Sequence, residues 1–485
     1  MESILLGGNG QSTVEFNLKM ANRHGLIAGA TGTGKSVSLQ TLAEQFSKKG
    51  VPVFLVDAKG DLSGLCCPGT TNSKIDERLS YIGKSSHVFG ANPVVFWDVF
   101  GKLGQNIRTT VSEIGPLLLS NLLALNETQS GVLYATFKIA DDNGMLLLDL
   151  DDLVSMLNHV GENASEFKTQ YGNIASSSIG AIQRRLMVLD EQGFGQLLGE
   201  PALDIADLMQ SDMSRNGFIN VFDVSQLIHK SPKLYATVLL WLLSEVFETL
   251  PEAGDLDKPK FVMFFDEAHL IFDGVSKELV EKIEQVVRLI RSKSVGIYFI
   301  SQSPLDIPED IAGQLGMKIQ HALRAFTPKD KKTLAAVSDS FRPNEAFETR
   351  SIITELAMGE ALVSTLNENG SPTPVERTLM CPPLSRIGAA TVSERETQMS
   401  RSPSRPKYAT EVNRESAHEI LAERALEAQK EASEEVASEK PSRSSRKTSS
   451  RQSVGESFMK SISRAIGSQI GRQLVRGVLG SLFKK

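Results

Sequence analysis

Apolar residues along this chain gather into short, nearly continuous runs instead of alternating with polar ones. His24-Gly25-Leu26-Ile27-Ala28 meets a glycine-rich turn and then a helix-like stretch, Lys35 to Lys49; Val51-Pro52-Val53-Phe54-Leu55-Val56 follows and ends on Asp57. Strand, loop, helix, strand is how a parallel α/β sheet begins. The pattern returns at Gly217 to Phe222 before Asp223, at Lys260 to Phe265 before Asp266, and at Val295 to Ile300 before Ser301-Gln302. Helical periodicity lies between them, at Leu234 to Phe247 and Leu279 to Ile290. Runs apolar almost throughout predict central strands covered on both faces.

Residues 105–215 read differently, with Leu-rich helical stretches at Pro116 to Leu125, Gly131 to Ala140, Leu150 to Asn158 and Ile179 to Leu189, and no strand signal. They predict a helical insertion dividing one core into an N-terminal part, 1–104, and a C-terminal part, 216–383. Strand-like runs return over 352–381, notably Ala361 to Leu366, and the core is expected to end near Pro382-Pro383. Residues 384–453 read as an acidic, then Ser/Arg-rich linker, and 454–485 as a basic amphipathic segment. Glu recurs every fourth position from Glu411 to Glu439. Four residues turn ~400°, so that stripe drifts ~40° per step and holds no single face; a solvated, partly helical linker fits better than a coiled-coil arm, which needs an apolar heptad.

The composition of the 485 residues, 41% apolar and 23% charged, excludes a wholly disordered, collagen-like or membrane-embedded chain. Aromatics at 6% argue against a sugar- or base-stacking platform as the main device. The net charge of −6 hides a split: residues 1–400 carry 35 Lys+Arg against 48 Asp+Glu, residues 401–485 carry 17 against 10. Cys66, Cys67 and Cys381 have neither disulfide-framework nor zinc-site spacing. The first 25 residues lack a basic-then-apolar leader pattern, and the most apolar stretch, Val238 to Val246, is too short to span a bilayer, so a cytoplasmic location is expected.

Gly29-Ala30-Thr31-Gly32-Thr33-Gly34-Lys35-Ser36 fits G-x-x-x-x-G-K-[ST] between a strand and a helix, the context that motif requires. Glycines let backbone N–H groups turn inward around phosphate oxygens, and the helix N-terminus adds a favourable dipole. Lys35 is expected on the β- and γ-phosphates of ATP and the Ser36 hydroxyl on Mg²⁺. Asp57-Ala58-Lys59-Gly60 fits the D-x-x-G of GTPases superficially, but the guanine motif Asn-Lys-x-Asp is absent from the sequence. The apolar run Lys260 to Phe265 ends in Asp266, placed to hold Mg²⁺ through water, and then Glu267. A carboxylate one residue beyond the metal-holding Asp polarises water for in-line attack. The extra strand between these two motifs is assigned to Gly217 to Phe222. Gln302, at the end of the next strand, is a candidate γ-phosphate sensor, because parallel strands converge on one ligand edge. Arg324, after Lys318 to Leu323, is a candidate for transition-state charge, with Arg288, Arg291, Arg342 and Arg350 as competitors.

GATGTGKS, VDAKGDLSG, FFDEAH and YFISQSP together resemble the HerA/FtsK superfamily of hexameric, RecA-like DNA-pumping ATPases, over roughly residues 20–380. The wording around them, with GRQLVRGVLGSL near the C-terminus, resembles the DUF853 (YjgR-like) group of HerA-like helicase C-terminal domain proteins. The resemblance implies a RecA-like P-loop NTPase fold with a mainly parallel sheet, Walker A at Lys35 and Ser36, Walker B at Asp266 and Glu267, Gln302 as the polar residue after the fourth core strand, and, in a looser match, Arg324 as the arginine. It further implies a homo-hexamer hydrolysing ATP with Mg²⁺ and moving DNA. Two features depart from it: 28 residues precede Gly29, where the motors carry a β-barrel, and no winged-helix reader is recognisable in the tail. DNA as substrate therefore rests on analogy.

Residues 440–485 hold eleven Lys/Arg and one acid, Glu456. Phe458, Ile462, Ile466, Ile470, Leu474, Val478 and Leu482 recur every four residues beside Ser463, Gly467 and Gly471. Arg464, Arg472 and Arg476 prevent spanning; a partner helix or self-association, an anionic membrane surface, DNA, or no ligand at all for a solubilised tail are the readings of this segment. A competing reading is an ATP-gated scaffold or membrane-associated assembly factor that does not move DNA.

Overall fold

The computed structural model describes residues 2–84, 86–273, 276–324 and 327–438. The chain divides into two units, 1–424 and 425–485; of the second, residues 425–438 are described, as the end of the helix Ala417–Ser438. The predicted basic segment 454–485 and the Ser/Arg-rich stretch before it lie outside the described residues.

Unit 1 is built on one twelve-stranded sheet. In chain order the strands are β1 (Ser3–Gly8), β2 (Thr13–Asn17), β3 (Gly25–Ala28), β4 (Val53–Asp57), β5 (Val94–Asp98), β6 (Gln105–Asn106), β7 (Ile219–Asp223), β8 (Phe261–Phe265), β9 (Val295–Ser301), β10 (Met317–Gln320), β11 (Glu360–Ser364) and β12 (Glu376–Met380). Their spatial order is β2-β1-β12-β11-β10-β3-β9-β8-β4-β7-β5-β6. The eight strands from β10 to β6 are parallel, and β11, β12, β1 and β2 extend the β10 edge antiparallel.

Every residue of β3, β4, β5, β7, β8 and β9 is buried, as continuous apolar runs require of strands covered on both faces. Successive side chains feed two different cores. Phe54, Val56, Met263, Phe265, Ile297 and Phe299 join the core beneath the helices of residues 111–250 and 277–290. Val53, Leu55, Val262, Phe264, Tyr298 and Ile300 join the opposite one with Leu39, Leu42 and Phe46 of the helix Lys35–Lys48. Between β6 and β7 the chain is mainly helical, at Val111–Leu122, Glu127–Asp142, Leu150–Glu162, Ala164–Tyr171 and Ser176–Glu191.

Three sequence expectations are corrected. The strand lying between β3 and β8 is β9; Ile219–Asp223 pairs beyond β4, because β4 takes β8 on one side and β7 on the other. β1, β2, β5 and the two-residue β6 lie outside the runs that the sequence pattern marks as strands, whereas β11 and β12 both fall within 352–381. Asn9-Gly10 between β1 and β2 is a hairpin signal, and Val94-Val95-Phe96-Trp97 is an apolar run cut short by Asp98. Finally, the core does not end at Pro382-Pro383 but continues to Arg424. The Glu44 carboxylate, buried in the helix Lys35–Lys48, accepts from the backbone N–H of Leu384 (2.7 Å) and Ser385 (2.8 Å). Further on, Gln398 donates to the Val94 carbonyl (2.7 Å), and Tyr408, 1% exposed, packs edge-on against Trp97 with ring centroids 5.1 Å apart. Polar residues at this density read as linker in sequence; here they cap the edge and face of a sheet.

Candidate functional site

Parallel strands put their C-terminal ends on one edge, and five of them deliver polar groups there. β3 leads into Gly29, β9 into Gln302 and β8 into Asp266-Glu267, while β4 and β7 end on Asp57 and Asp223.

The loop after β3 turns through Gly29 (φ 152°), Gly32 (φ 78°) and Gly34 (φ 118°), values that side chains resist, and opens the helix Lys35–Lys48. At Gly29 the space is closed as well: a Cβ there would lie 2.5 Å from that of His321. The Lys35 ammonium is buried and folded back on its own loop, donating to the carbonyls of Gly29 (2.7 Å) and Ala30 (3.1 Å). Burial, then the charge of Lys59, lowers its proton affinity, against the opposing pull of Glu267 and Asp266.

His321, absent from the sequence reading, braces this loop from the β10 side. Its N–H donates to the Ala28 carbonyl (2.7 Å), its Nδ1 lies 2.9 Å from the Glu360 carbonyl and its Nε2 2.9 Å from the Ser38 hydroxyl. A carbonyl only accepts, so Nδ1 carries the proton and Nε2 accepts from Ser38. Burial, with Lys35 adding to it, lowers the ring to about 4 and keeps it neutral. In sequence the apolar pattern extends from Lys318 to Leu323, which hides the polar residue just past the strand end at Gln320.

Asp57, fully buried, accepts from the backbone N–H groups of Lys59 (3.2 Å), Gly60 (2.7 Å) and Leu62 (3.1 Å), folding residues 57–62 into a tight turn. Burial first, then the charges of Asp223 and Asp61, raises it to about 7. Asp223 itself meets Arg395 at 2.8 Å, a countercharge supplied by the segment beyond Pro383.

The turn aims Lys59 at the end of the neighbouring β8, where its Nζ lies 3.0 Å from Glu267 Oε1. Glu267 has φ 47°, in the left-handed region that residues with a Cβ seldom adopt. Its Oε2 lies 3.5 Å from His269 Nδ1, and Gln302 lines the same cleft beside it. Burial pushes the Glu267 carboxyl up, but Lys59, followed by His269 and Gln302, outweighs that and holds it below its ordinary value. Asp266 accepts from the Glu267 N–H (2.9 Å) and is raised to about 6 by burial and then by Glu267. A desolvated carboxylate short of positive charge, together with the Ser36 hydroxyl, is an oxygen donor pair that fits Mg²⁺, which takes few protein ligands and completes its shell with phosphate and water.

Glu267, Lys59, His269 and Gln302 line one open cleft of about 870 Å³ with Ser225 and His229. Arg324 lies outside it, exposed, two residues past Ala322, whose carbonyl accepts from Ala30 N–H at 2.9 Å. Of its competitors, Arg288 pairs with Glu284, Arg291 lies 3.9 Å from Asp255, and Arg342 donates to the Pro372 carbonyl (3.2 Å). No described helix is long and apolar enough to cross a membrane.

The sequence profile of the family described as "Helicase HerA-like C-terminal" matches residues 2–485. Among curated proteins, the DNA double-strand break repair helicase HerA of Saccharolobus solfataricus is 22% identical over 379 residues, covering 74% of this chain and 64% of that protein. Its namesake from Sulfolobus acidocaldarius is 21% identical over 367 residues, covering 74% and 65%. The chain thus spans about two thirds of the length of the curated relatives it matches. Among solved structures, the plasmid coupling protein TrwB in complex with a non-hydrolysable GTP analogue superposes with a TM-score of 0.51 at 13% identity, covering 81% of this chain and 92% of that one, a likeness of fold.

Proposed function

This chain belongs to the HerA-like helicase C-terminal family, and from that premise we propose that it hydrolyses ATP and couples the hydrolysis to movement on DNA, as a homo-hexamer. The observation that carries the reading is the meeting on one sheet edge of a glycine-turned loop with its lysine, a buried Asp266 and a cleft-lining Glu267 beside Gln302. On this reading the backbone N–H groups of residues 29–36 and the Lys35 ammonium hold the β- and γ-phosphates. Ser36 and Asp266 hold Mg²⁺, which neutralises phosphate charge when bound. Glu267 accepts a proton from the attacking water as the bond from phosphorus to the bridging oxygen of ADP breaks, and Gln302 orients that water or reads the γ-phosphate. Arg324, exposed beyond the loop, is free to reach a neighbouring subunit's nucleotide, where it would stabilise transition-state charge.

DNA enters through the relatives, both named as DNA repair helicases, and its handling by this chain is part of the proposal. Phosphate release from ATP, measured with and without duplex and single-stranded DNA at low and physiological salt, tests it. Stimulation by either DNA at low salt supports the motor. An unchanged rate removes DNA from the reading and leaves the hydrolase.

A further inference from the structure

We infer that Lys59 is a γ-phosphate-dependent latch on Glu267: without a nucleoside triphosphate it holds that carboxylate, and the arriving γ-phosphate draws it away. The inference rests on the hydrolytic reading of this site and adds to it a positioning residue, one that acts on catalysis through Glu267.

Three observations carry it. The Lys59 side chain is half exposed, lines the same cleft as Glu267 and Gln302, and lies near enough to Lys35 of the phosphate loop for its charge to act on that ammonium. Its backbone is fixed by the Asp57 carboxylate, so the side chain swings from a rigid base. Its 3.0 Å contact occupies Oε1 of Glu267, the residue proposed to take a proton from water. A carboxylate engaged by an ammonium is a weaker proton acceptor than a free one.

Both lysines of the site rest on acceptors within the protein, Lys35 on the Gly29 and Ala30 carbonyls and Lys59 on Glu267. A triphosphate brings a denser negative charge to the same place, and ammonium groups favour it over a carbonyl or a single carboxylate. ADP lacks the group that competes for Lys59, so the latch stays closed over ADP. Glu267, held at φ 47°, gains freedom to turn toward water once Lys59 leaves. Lys59 thereby links the identity of the bound nucleotide to the availability of the base.

The test is the affinity of the full chain for ATP and for ADP with Mg²⁺, by calorimetry, in wild type, Lys59→Met, Lys59→Arg, Glu267→Gln and the Lys59→Met/Glu267→Gln pair. One charge-assisted contact to the γ-phosphate predicts about tenfold weaker ATP binding in Lys59→Met with ADP within about twofold, and recovery in Lys59→Arg. Glu267→Gln, which removes the competing carboxylate, should tighten ATP over ADP in the wild-type background and have no such effect once Lys59 is methionine. A purely structural ion pair would move ATP and ADP together, and an ATP-to-ADP ratio unchanged in both Lys59→Met and Glu267→Gln overturns the latch while leaving the hydrolase intact. Wild-type protein that binds no ATP overturns both.

Discussion

Replacing Arg395 by methionine removes the countercharge of Asp223 while keeping most of the side-chain volume. In the native structure Nη2 lies 2.8 Å from Asp223 Oδ2, with the two side chains 11% and 1% exposed. The contact is close but not aligned as a hydrogen bond, so it acts chiefly through charge. The guanidinium also sits 4.5 Å above the Phe96 ring, and Nε donates to the Leu103 carbonyl (2.5 Å). Methionine keeps the stem over Phe96 and leaves Asp223 buried without a cation, which costs about 3–5 kcal/mol for a pair broken on one side. Against a net stability of about 5–15 kcal/mol this is a large loss. Urea unfolding followed by fluorescence is a suitable assay, since both tryptophans, Trp97 and Trp241, are buried in unit 1 and Trp97 touches Tyr408 of the same C-terminal segment. Asp223→Asn combined with Arg395→Met should recover much of the loss, with a coupling of about 2 kcal/mol or more. If Arg395→Met lies within about 0.5 kcal/mol of wild type, or the two losses simply add, the segment after Pro383 is not clamped to the sheet as described.

His321→Leu leaves the Ser38 hydroxyl and the Glu360 carbonyl without partners; a loss of about 2–4 kcal/mol in urea unfolding, with weaker ATP binding, is expected, and unchanged ATP affinity would separate this ring from the loop it braces. His24 donates from Nε2 to the Val287 carbonyl (2.8 Å), accepts from Ile297 N–H (3.1 Å), and is lowered from 6.5 to about 4 by burial. The unfolded chain therefore binds the proton first, and this contribution to stability is intact above about pH 6.5 and lost as pH falls toward 4, about 2 kcal/mol of it by pH 5. Asp57 and Asp266, raised to about 7 and about 6, act in the opposite direction, so the informative quantity is the stability gap between wild type and His24→Gln. That gap should narrow between pH 7 and pH 5, and a constant one contradicts the neutral, buried ring.

What the sequence revealed follows from how each feature is encoded. Central strands and the phosphate loop are local: an apolar run ending on Asp57 or Asp266, and glycines at the three positive-φ positions, 29, 32 and 34, are visible without tertiary context. The strand neighbours are not, because the pairing of β9 between β3 and β8 depends on crossovers that no short window contains. Lys59 stands in the sequence only as the third residue of a superficial D-x-x-G, and nothing in Asp57-Ala58-Lys59-Gly60 tells that the turn ends 3.0 Å from Glu267. The segment after Pro383 is polar enough to read as linker, and its order comes from buried partners such as Glu44 and Asp223, far away in the chain.

The central claim is that this sheet edge hydrolyses ATP with Glu267 as the base. Phosphate release by Glu267→Gln at saturating ATP, beside an ATP-binding measurement on the same protein, addresses it most directly. Binding retained with turnover reduced about a hundredfold or more is the predicted result; hydrolysis at the wild-type rate would contradict the account.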